Sequence, residues 1–195
     1  MAWIKAGTTT LGSAGTSLTL SGITTNKFNS VMIHTLDTGS TLAPRISITD
    51  NGTGTNHSGR TSKNGAADAT QTSREDWVTN ASENASDQFQ FGYICNIDGE
   101  EILGIFSCCD ESASGVGNAP QRRECAGKYS DGGSEAQFTR IDMVSSLTNN
   151  YNTDSNISVL GSDGTASLNV QDGAIYYDTD LNKEYVLYNN TWTEL

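Results

Sequence analysis

The chain has 195 residues and a formal net charge of -12, from 11 basic and 23 acidic residues. It is poor in hydrophobic residues (35%) and charged residues (17%) and rich in Gly, Ser, Thr and Asn, which favour turns and strand edges. Its acidity excludes the basic surface that nucleic-acid binding requires, and no apolar run is long enough for membrane insertion.

Alternating apolar residues predict three strands in the first quarter of the chain. They lie within Thr16–Gly22, Phe28–Asp37 and Pro44–Thr49. Residues 50–86 do not show this alternation of apolar residues. We expect a long functional or interfacial loop there, with a short helix over Ser73–Trp77 and one further short strand.

A β-hairpin is predicted from Phe89 to Cys108, because Asp98-Gly99 between two apolar runs is typical of a two-residue turn. This register pairs Cys95 with Ile102. One face then carries Phe91, Tyr93, Cys95, Ile102 and Phe106, and the other carries Ile94, Leu103 and Ile105. Both faces are apolar. The hairpin is therefore either covered twice by its own chain or covered on one face by another subunit.

Further strands are predicted within Gln121–Lys128, Glu135–Ser146 and Asn156–Gly161, after a long connection over residues 110–120. The whole chain then has about ten to twelve short strands and almost no helix. Such a pattern indicates an all-β fold, an antiparallel β-sandwich or jelly roll formed by residues 1–162.

Residues 163–195 form a C-terminal tail with a second predicted hairpin, in which Asp178 pairs with Lys183. A two-stranded hairpin is marginal alone in water, so this one must dock on the main domain, a neighbouring subunit or a ligand. The candidate partner-contacting residues of the two hairpins are Ile94, Leu103, Ile105, Tyr176, Tyr177, Tyr185, Tyr188 and Trp192.

No catalytic, cofactor-binding or metal-binding constellation is found. The only imidazoles are His34 and His57, and neither a G-x-S-x-G nor an H-E-x-x-H motif occurs. No secretory signal follows Met1, so we expect synthesis in a reducing cytoplasm and free thiols, although the even count leaves disulfides open. The cysteines, which lack C-x-x-C spacing, are Cys95, Cys108, Cys109 and Cys125.

Four segments carry a resemblance to known proteins. Met1–Gly15, Gly117–Glu124 and Val159–Thr165 resemble small structural proteins of tailed phages of marine bacteria, and Gly173–Trp192 is similar to terminal modules of phage tail fibres. The resemblance implies a component of the virion surface, a β-sandwich assembled as a trimer, with other virion proteins such as the major capsid protein or tail components as partners. It brings no catalytic residues.

Three functions follow as expectations. The first is a non-enzymatic virion protein that decorates the capsid or projects from it as a head fibre. The second is a tail-fibre adhesin that binds a host-surface glycan through the loops at 50–86 and 110–120. The third is a glycan depolymerase, for which no carboxylate pair can be nominated.

Overall fold

The computed structural model is all-β, as the sequence predicts, and it describes residues 3–38, 43–49, 54–80, 87–111, 115–132, 135–145, 151–163, 173–179, 181–188 and 191–195. No helix occurs within these ranges. Residue contacts divide the chain into two compact units, the sandwich unit Trp3–Asp163 and the C-terminal unit within Gly164–Leu195. The sequence predicts this boundary after residue 162.

The strands of the sandwich unit form two antiparallel sheets. In chain order they are β1 (Ile4–Thr10), β2 (Leu18–Ser21), β3 (Phe28–Thr35), β4 (Pro44–Ile48), β5 (His57–Lys63), β6 (Ala69–Arg74), β7 (Gln88–Cys95), β8 (Ile102–Asp110), β9 (Gln121–Tyr129), β10 (Arg140–Ser145) and β11 (Asn156–Ser162). The large sheet has the order β1-β11-β3-β7-β8-β9-β5-β6, and the small sheet has the order β2-β10-β4.

The hydrophobic core lies between the two sheets, because successive side chains of a strand point to opposite faces and one face of each sheet is apolar. The large sheet contributes Val31, Ile33, Ile94, Ile102, Phe106, Ile157 and Val159, and the small sheet contributes Leu18, Leu20, Ile46, Ile48, Ile141 and Met143. Burial of each such side chain stabilises the fold by about 1.5–3 kcal/mol.

Trp77 is the largest fully buried side chain of the core and joins three segments. Its backbone N–H donates to the Ile46 carbonyl at 2.8 Å, and its indole Nε1 donates to the Lys128 carbonyl at 3.1 Å. A Cβ added at Gly104 would lie 3.1 Å from the indole ring, and one at Gly127 would lie 2.6 Å from it. The ring therefore packs against strand positions where only glycine leaves enough space.

The helix predicted over Ser73–Trp77 is wrong. Strand β6 continues to Arg74, and Ser73 has a φ of 53°, which a right-handed helix does not allow. The Asp76 carboxylate accepts two hydrogen bonds from the Arg74 guanidinium, at 3.0 and 3.1 Å. The predicted loop contains two strands, β5 and β6, which are too polar to show apolar alternation because they form one edge of the large sheet.

The predicted register of the first hairpin is wrong by one residue. Cys95 lies opposite Leu103 and Tyr93 lies opposite Ile105, and a shift of one residue exchanges the two faces of a strand. Phe91, Tyr93 and Cys95 therefore share a face with Leu103 and Ile105, whereas Ile94 lies with Ile102 and Phe106 in the core.

Asn96 accounts for the different register. Its side-chain oxygen accepts a hydrogen bond from the Phe138 N–H at 2.9 Å, and its amide donates to the Asn26 carbonyl at 3.3 Å. Its own N–H donates to the Lys27 carbonyl at 2.8 Å. These bonds direct Asn96 away from β8, so β7 ends at Cys95. The predicted turn at Asp98-Gly99 is present, because the Glu100 N–H donates to the Ile97 carbonyl at 3.2 Å. The register therefore changes between this turn and the paired strands.

The C-terminal unit is a three-stranded antiparallel sheet of β12 (Ile175–Asp178), β13 (Lys183–Tyr188) and β14 (Thr191–Glu194). The predicted register of its hairpin is confirmed, with Asp178 opposite Lys183 and Tyr176 opposite Tyr185. The third strand was not predicted. It pairs with the edge of β13 that would be free in a two-stranded hairpin.

Candidate functional site

Strand β7 places polar side chains in the core and aromatic side chains outside. Gln88 and Gln90 are buried, whereas Phe89, Phe91 and Tyr93 are 46%, 47% and 52% exposed. A strand with one wet face normally shows the opposite arrangement. The orientation of β7 therefore needs a specific cause.

Hydrogen bonds in the core provide this cause. The Gln90 carbonyl oxygen accepts a bond from the Thr79 hydroxyl at 2.7 Å, and its amide donates to the Pro44 carbonyl at 3.2 Å. The Gln88 oxygen accepts a weak bond from the Cys108 thiol at 3.5 Å. Because a buried polar group without a partner costs about 1–3 kcal/mol, these bonds make the inward orientation of both glutamines tolerable.

The aromatic residues of β7 form part of a larger apolar patch on the outer face of the large sheet. We define the apolar patch as Met32, Phe89, Phe91, Tyr93, Leu103 and Ile105, which are 37–60% exposed. The patch is continuous across three strands, since Met32 lies opposite Phe91 and Tyr93 lies opposite Ile105. Phe89 and Phe91 stack with their ring centroids 6.1 Å apart.

Two of the three partner-contacting residues predicted in the first hairpin lie in the apolar patch, namely Leu103 and Ile105. The third assignment is wrong, because Ile94 is only 1% exposed and belongs to the core. The other four residues of the patch were not predicted as contact residues, namely Met32, Phe89, Phe91 and Tyr93. Aromatic residues at alternate positions of β7 normally indicate the face that points to the core. No local feature of the sequence shows that in this strand they point to solvent.

A groove runs beside the apolar patch. Its volume is about 410 Å³, and one side of it is lined by aromatic residues, including Phe91 and Tyr93. Ser107 and Ala126 line it too, and charged residues of β5, of β9 and of the position before β6 complete it. Its charged residues are Arg60, Asp68 and Glu124, of which the first two form an ion pair at 3.7 Å. An adjoining recess of about 190 Å³ shares Phe91, Ser107 and Glu124 and is also lined by Arg122.

The two loops predicted to bind a glycan contribute unequally to this groove. Arg60, Ser62 and Asp68 come from the segment 50–86, whereas no described residue of 110–120 lines it. Residues 50–53, 81–86 and 112–114 of these loops lie outside the described residues.

The C-terminal sheet separates its predicted contact residues onto two faces. Tyr176, Tyr185 and Trp192 share one face, which we call the aromatic cradle, and its ring centroids are 6.0 Å (Tyr176–Tyr185) and 5.8 Å (Tyr176–Trp192) apart. Tyr177 and Tyr188 lie on the opposite face. All five rings keep part of their surface accessible.

The two histidines occupy different environments. His34 is exposed on the outer face of β3. His57 is buried, its Nε2 accepts a hydrogen bond from the Ile48 N–H at 3.2 Å, and its ring packs edge-on against Trp77 and Tyr129. His57 therefore supports the core. Among the described residues, no group of three or more His, Cys, Asp or Glu side chains is arranged to hold a metal ion.

The four cysteines, all within the described residues, form no disulfide bond and lie on both sides of the large sheet. Cys108 and Cys125 face the core, Cys95 is half-buried, and Cys109 is exposed on the outer face opposite Phe89. Burial raises the pKa of the Cys125 thiol to about 12, because the thiolate would be poorly solvated in the core. Cys125 is therefore a protonated, unreactive thiol at neutral pH.

Thiol labelling checks this arrangement. In the native protein, N-ethylmaleimide is expected to modify Cys109 first and Cys95 more slowly, whereas Cys108 and Cys125 react only after unfolding. Peptide mass spectrometry after short exposures measures the order. Labelling of Cys125 as fast as Cys109 in native protein would contradict the assignment of the two faces.

Comparisons with known proteins return no match for this chain: no family model, no curated protein and no solved structure is similar. Within the described ranges, no helix has the length and hydrophobicity needed to cross a bilayer.

Proposed function

We propose that this chain is a non-enzymatic structural protein of a bacteriophage virion, located on the particle exterior as a capsid decoration or head-fibre protein and assembled as a trimer. The observation that carries the proposal is the apolar patch, built by the inverted orientation of β7. Its six large side chains stay 37–60% exposed in the single chain. Contiguous apolar surface of this kind marks an interface in soluble proteins.

Covering the patch gives a stabilisation large enough to drive assembly. Full burial of a side chain of this size is worth about 1.5–3 kcal/mol, and each member of the patch has roughly half of its surface left to bury. The surroundings also fit an interface, since charged groups such as Arg122, Glu124 and Lys128 follow on the next strand. An apolar centre with a polar rim is typical of protein–protein contacts.

A trimer requires two different complementary surfaces on each subunit. In a ring with threefold symmetry, the patch of one copy contacts another surface of the next copy, whereas in a twofold dimer the patch meets itself. In the virion, the capsid protein beneath the subunit can cover the apolar patch instead of a second copy. The resemblance of the four sequence segments to phage structural proteins supports the virion setting, and the charge of -12 favours solubility at high copy number.

Particle imaging tests the location. An antibody against this chain, applied to intact particles of the phage that encodes it, is expected to label the heads at many copies per particle. Absence of the chain from purified particles would overturn the proposal. Labelling of a few copies at the tail tip would instead support a receptor-binding adhesin.

The adhesin is a second candidate because of the groove beside the patch. Its aromatic residues Phe91 and Tyr93 supply faces on which a sugar ring can stack, and Arg60, Asp68 and Glu124 supply hydrogen-bonding groups. The two candidates compete for one surface, because a subunit seated on the apolar patch covers the aromatic side of the groove.

A further inference from the structure

The aromatic cradle of the C-terminal unit borders a cavity that is open to solvent. Tyr176, Tyr185, Trp192 and Asp178 line about 360 Å³, a volume in the range of small-molecule sites. Tyr176 and Trp192 remain 49% and 42% exposed. The rings are therefore open to a ligand rather than packed into a core.

The three rings line the cavity and do not form one flat surface. Tyr176 and Tyr185 are inclined by 28°, whereas Tyr176 and Trp192 are inclined by 64°. A sugar ring stacks best on a flat platform, because its broad face must lie parallel to the aromatic face. Rings inclined to one another suit a compact, rounded group that contacts several rings at once.

The charge around the cradle favours a cation. On this face of the sheet lie two carboxylates, Asp178 and Glu194, and one ammonium, Lys183. The Lys183 ammonium pairs with Glu194 at 2.8 Å, and Asp178 accepts a hydrogen bond from the Leu181 N–H at 3.0 Å, which fixes its carboxylate at the cavity. The faces of the aromatic rings add negative electrostatic potential.

We infer that the aromatic cradle binds an alkylated ammonium group, such as the trimethylammonium group of choline. Such a group is bulky, carries a diffuse positive charge and loses little hydration on entering an aromatic site, and recognition by several rings is its characteristic binding mode. The site belongs to the C-terminal unit and uses no residue of the apolar patch. Its test is therefore independent of the proposed virion role.

Titration of the full-length chain with choline and tetramethylammonium tests the inference, with 3,3-dimethylbutan-1-ol as the uncharged analogue of the same shape. Calorimetry or NMR is expected to show saturable binding of both cations. The neutral analogue is expected to bind about tenfold more weakly or worse, because it loses the cation–π attraction. Equal binding of the neutral analogue would overturn the cation assignment.

Variants locate the site. Trp192→Ala is expected to weaken choline binding by about tenfold or more, and Asp178→Asn, which keeps an oxygen for the Leu181 N–H, by several-fold. Tyr188→Ala is the matched control, because Tyr188 is an exposed aromatic residue on the opposite face of the same sheet. Trp192→Phe separates loss of a ring from misfolding, since it retains an aromatic face and should bind choline better than Trp192→Ala.

Vesicle binding distinguishes two sources of the alkylated ammonium group. Flotation with phosphatidylcholine vesicles but not phosphatidylglycerol vesicles would assign a lipid headgroup, whereas binding of soluble choline alone would assign a free or glycan-attached choline group. Both results support the inference. No binding of either cation at millimolar concentration, binding unchanged in Trp192→Ala, or saturable binding of neutral sugars instead would overturn it.

Discussion

Replacing Trp77 with alanine is expected to lower the free energy of unfolding by about 3–5 kcal/mol, the usual cost of removing a buried large aromatic side chain. The change empties the space over Gly104 and Gly127 and removes the indole bond to the Lys128 carbonyl. Thermal or urea denaturation measures the loss, and a decrease in Tm of roughly 10 °C corresponds to it for a unit of this size.

A pair of glycine variants provides the control. Gly127→Ala forces a Cβ to within 2.6 Å of the indole and is expected to destabilise the protein, whereas Gly117→Ala meets no atom within 4 Å and should have little effect. Equal stability of the two variants, or a loss below about 1 kcal/mol in Trp77→Ala, would show that the ring is not packed as described.

Replacing Ile105 with glutamate is expected to abolish self-association. Ile105 lies in the apolar patch and is its most exposed member, at 60%. A carboxylate buried at an interface without a partner costs about 3–5 kcal/mol, so the affinity between subunits falls by at least about 100-fold. Sedimentation velocity at micromolar concentration is expected to show a trimer for the parent chain and a monomer for the variant.

Val116→Glu is the matched control for this prediction. Val116 is fully exposed in the connection between β8 and β9, so the same change in charge should leave the trimer intact. A parent chain that stays monomeric at all concentrations would contradict the assembly proposal. An Ile105→Glu variant that still forms trimers would exclude the apolar patch as the interface.

The C-terminal hairpin shows what the sequence can predict. Its register follows from local chemistry, because polar turn residues separate two apolar runs and no other segment competes for Asp178 or Lys183 in the ladder. The first hairpin shows what it cannot predict. Asp98-Gly99 forms the predicted turn, but Asn26 and Phe138, distant in the sequence, bind Asn96 and shift the register of the strands beyond it.

The sequence predicted two residues of the apolar patch, Leu103 and Ile105, but not the other four. Apolar residues on both faces of the first hairpin predicted an apolar surface, and the outer face of the large sheet carries one. Its members depend on whether Gln90 points inward, and this depends on partners from Thr79 and Pro44 that only the folded chain brings together. Local alternation therefore assigned Phe91 to the wrong kind of face.

The position of β1 has a consequence for how the protein folds during translation. It pairs with β11, so Ile4–Thr10 stays without its neighbour until residue 162 has left the ribosome. Closure of such distant strands is a high-contact-order step, and domains of this topology take about milliseconds to seconds to fold. From the synthesis of β3 until that of β11, the nascent chain therefore exposes an unpaired edge on β3, at which strands of other chains can pair.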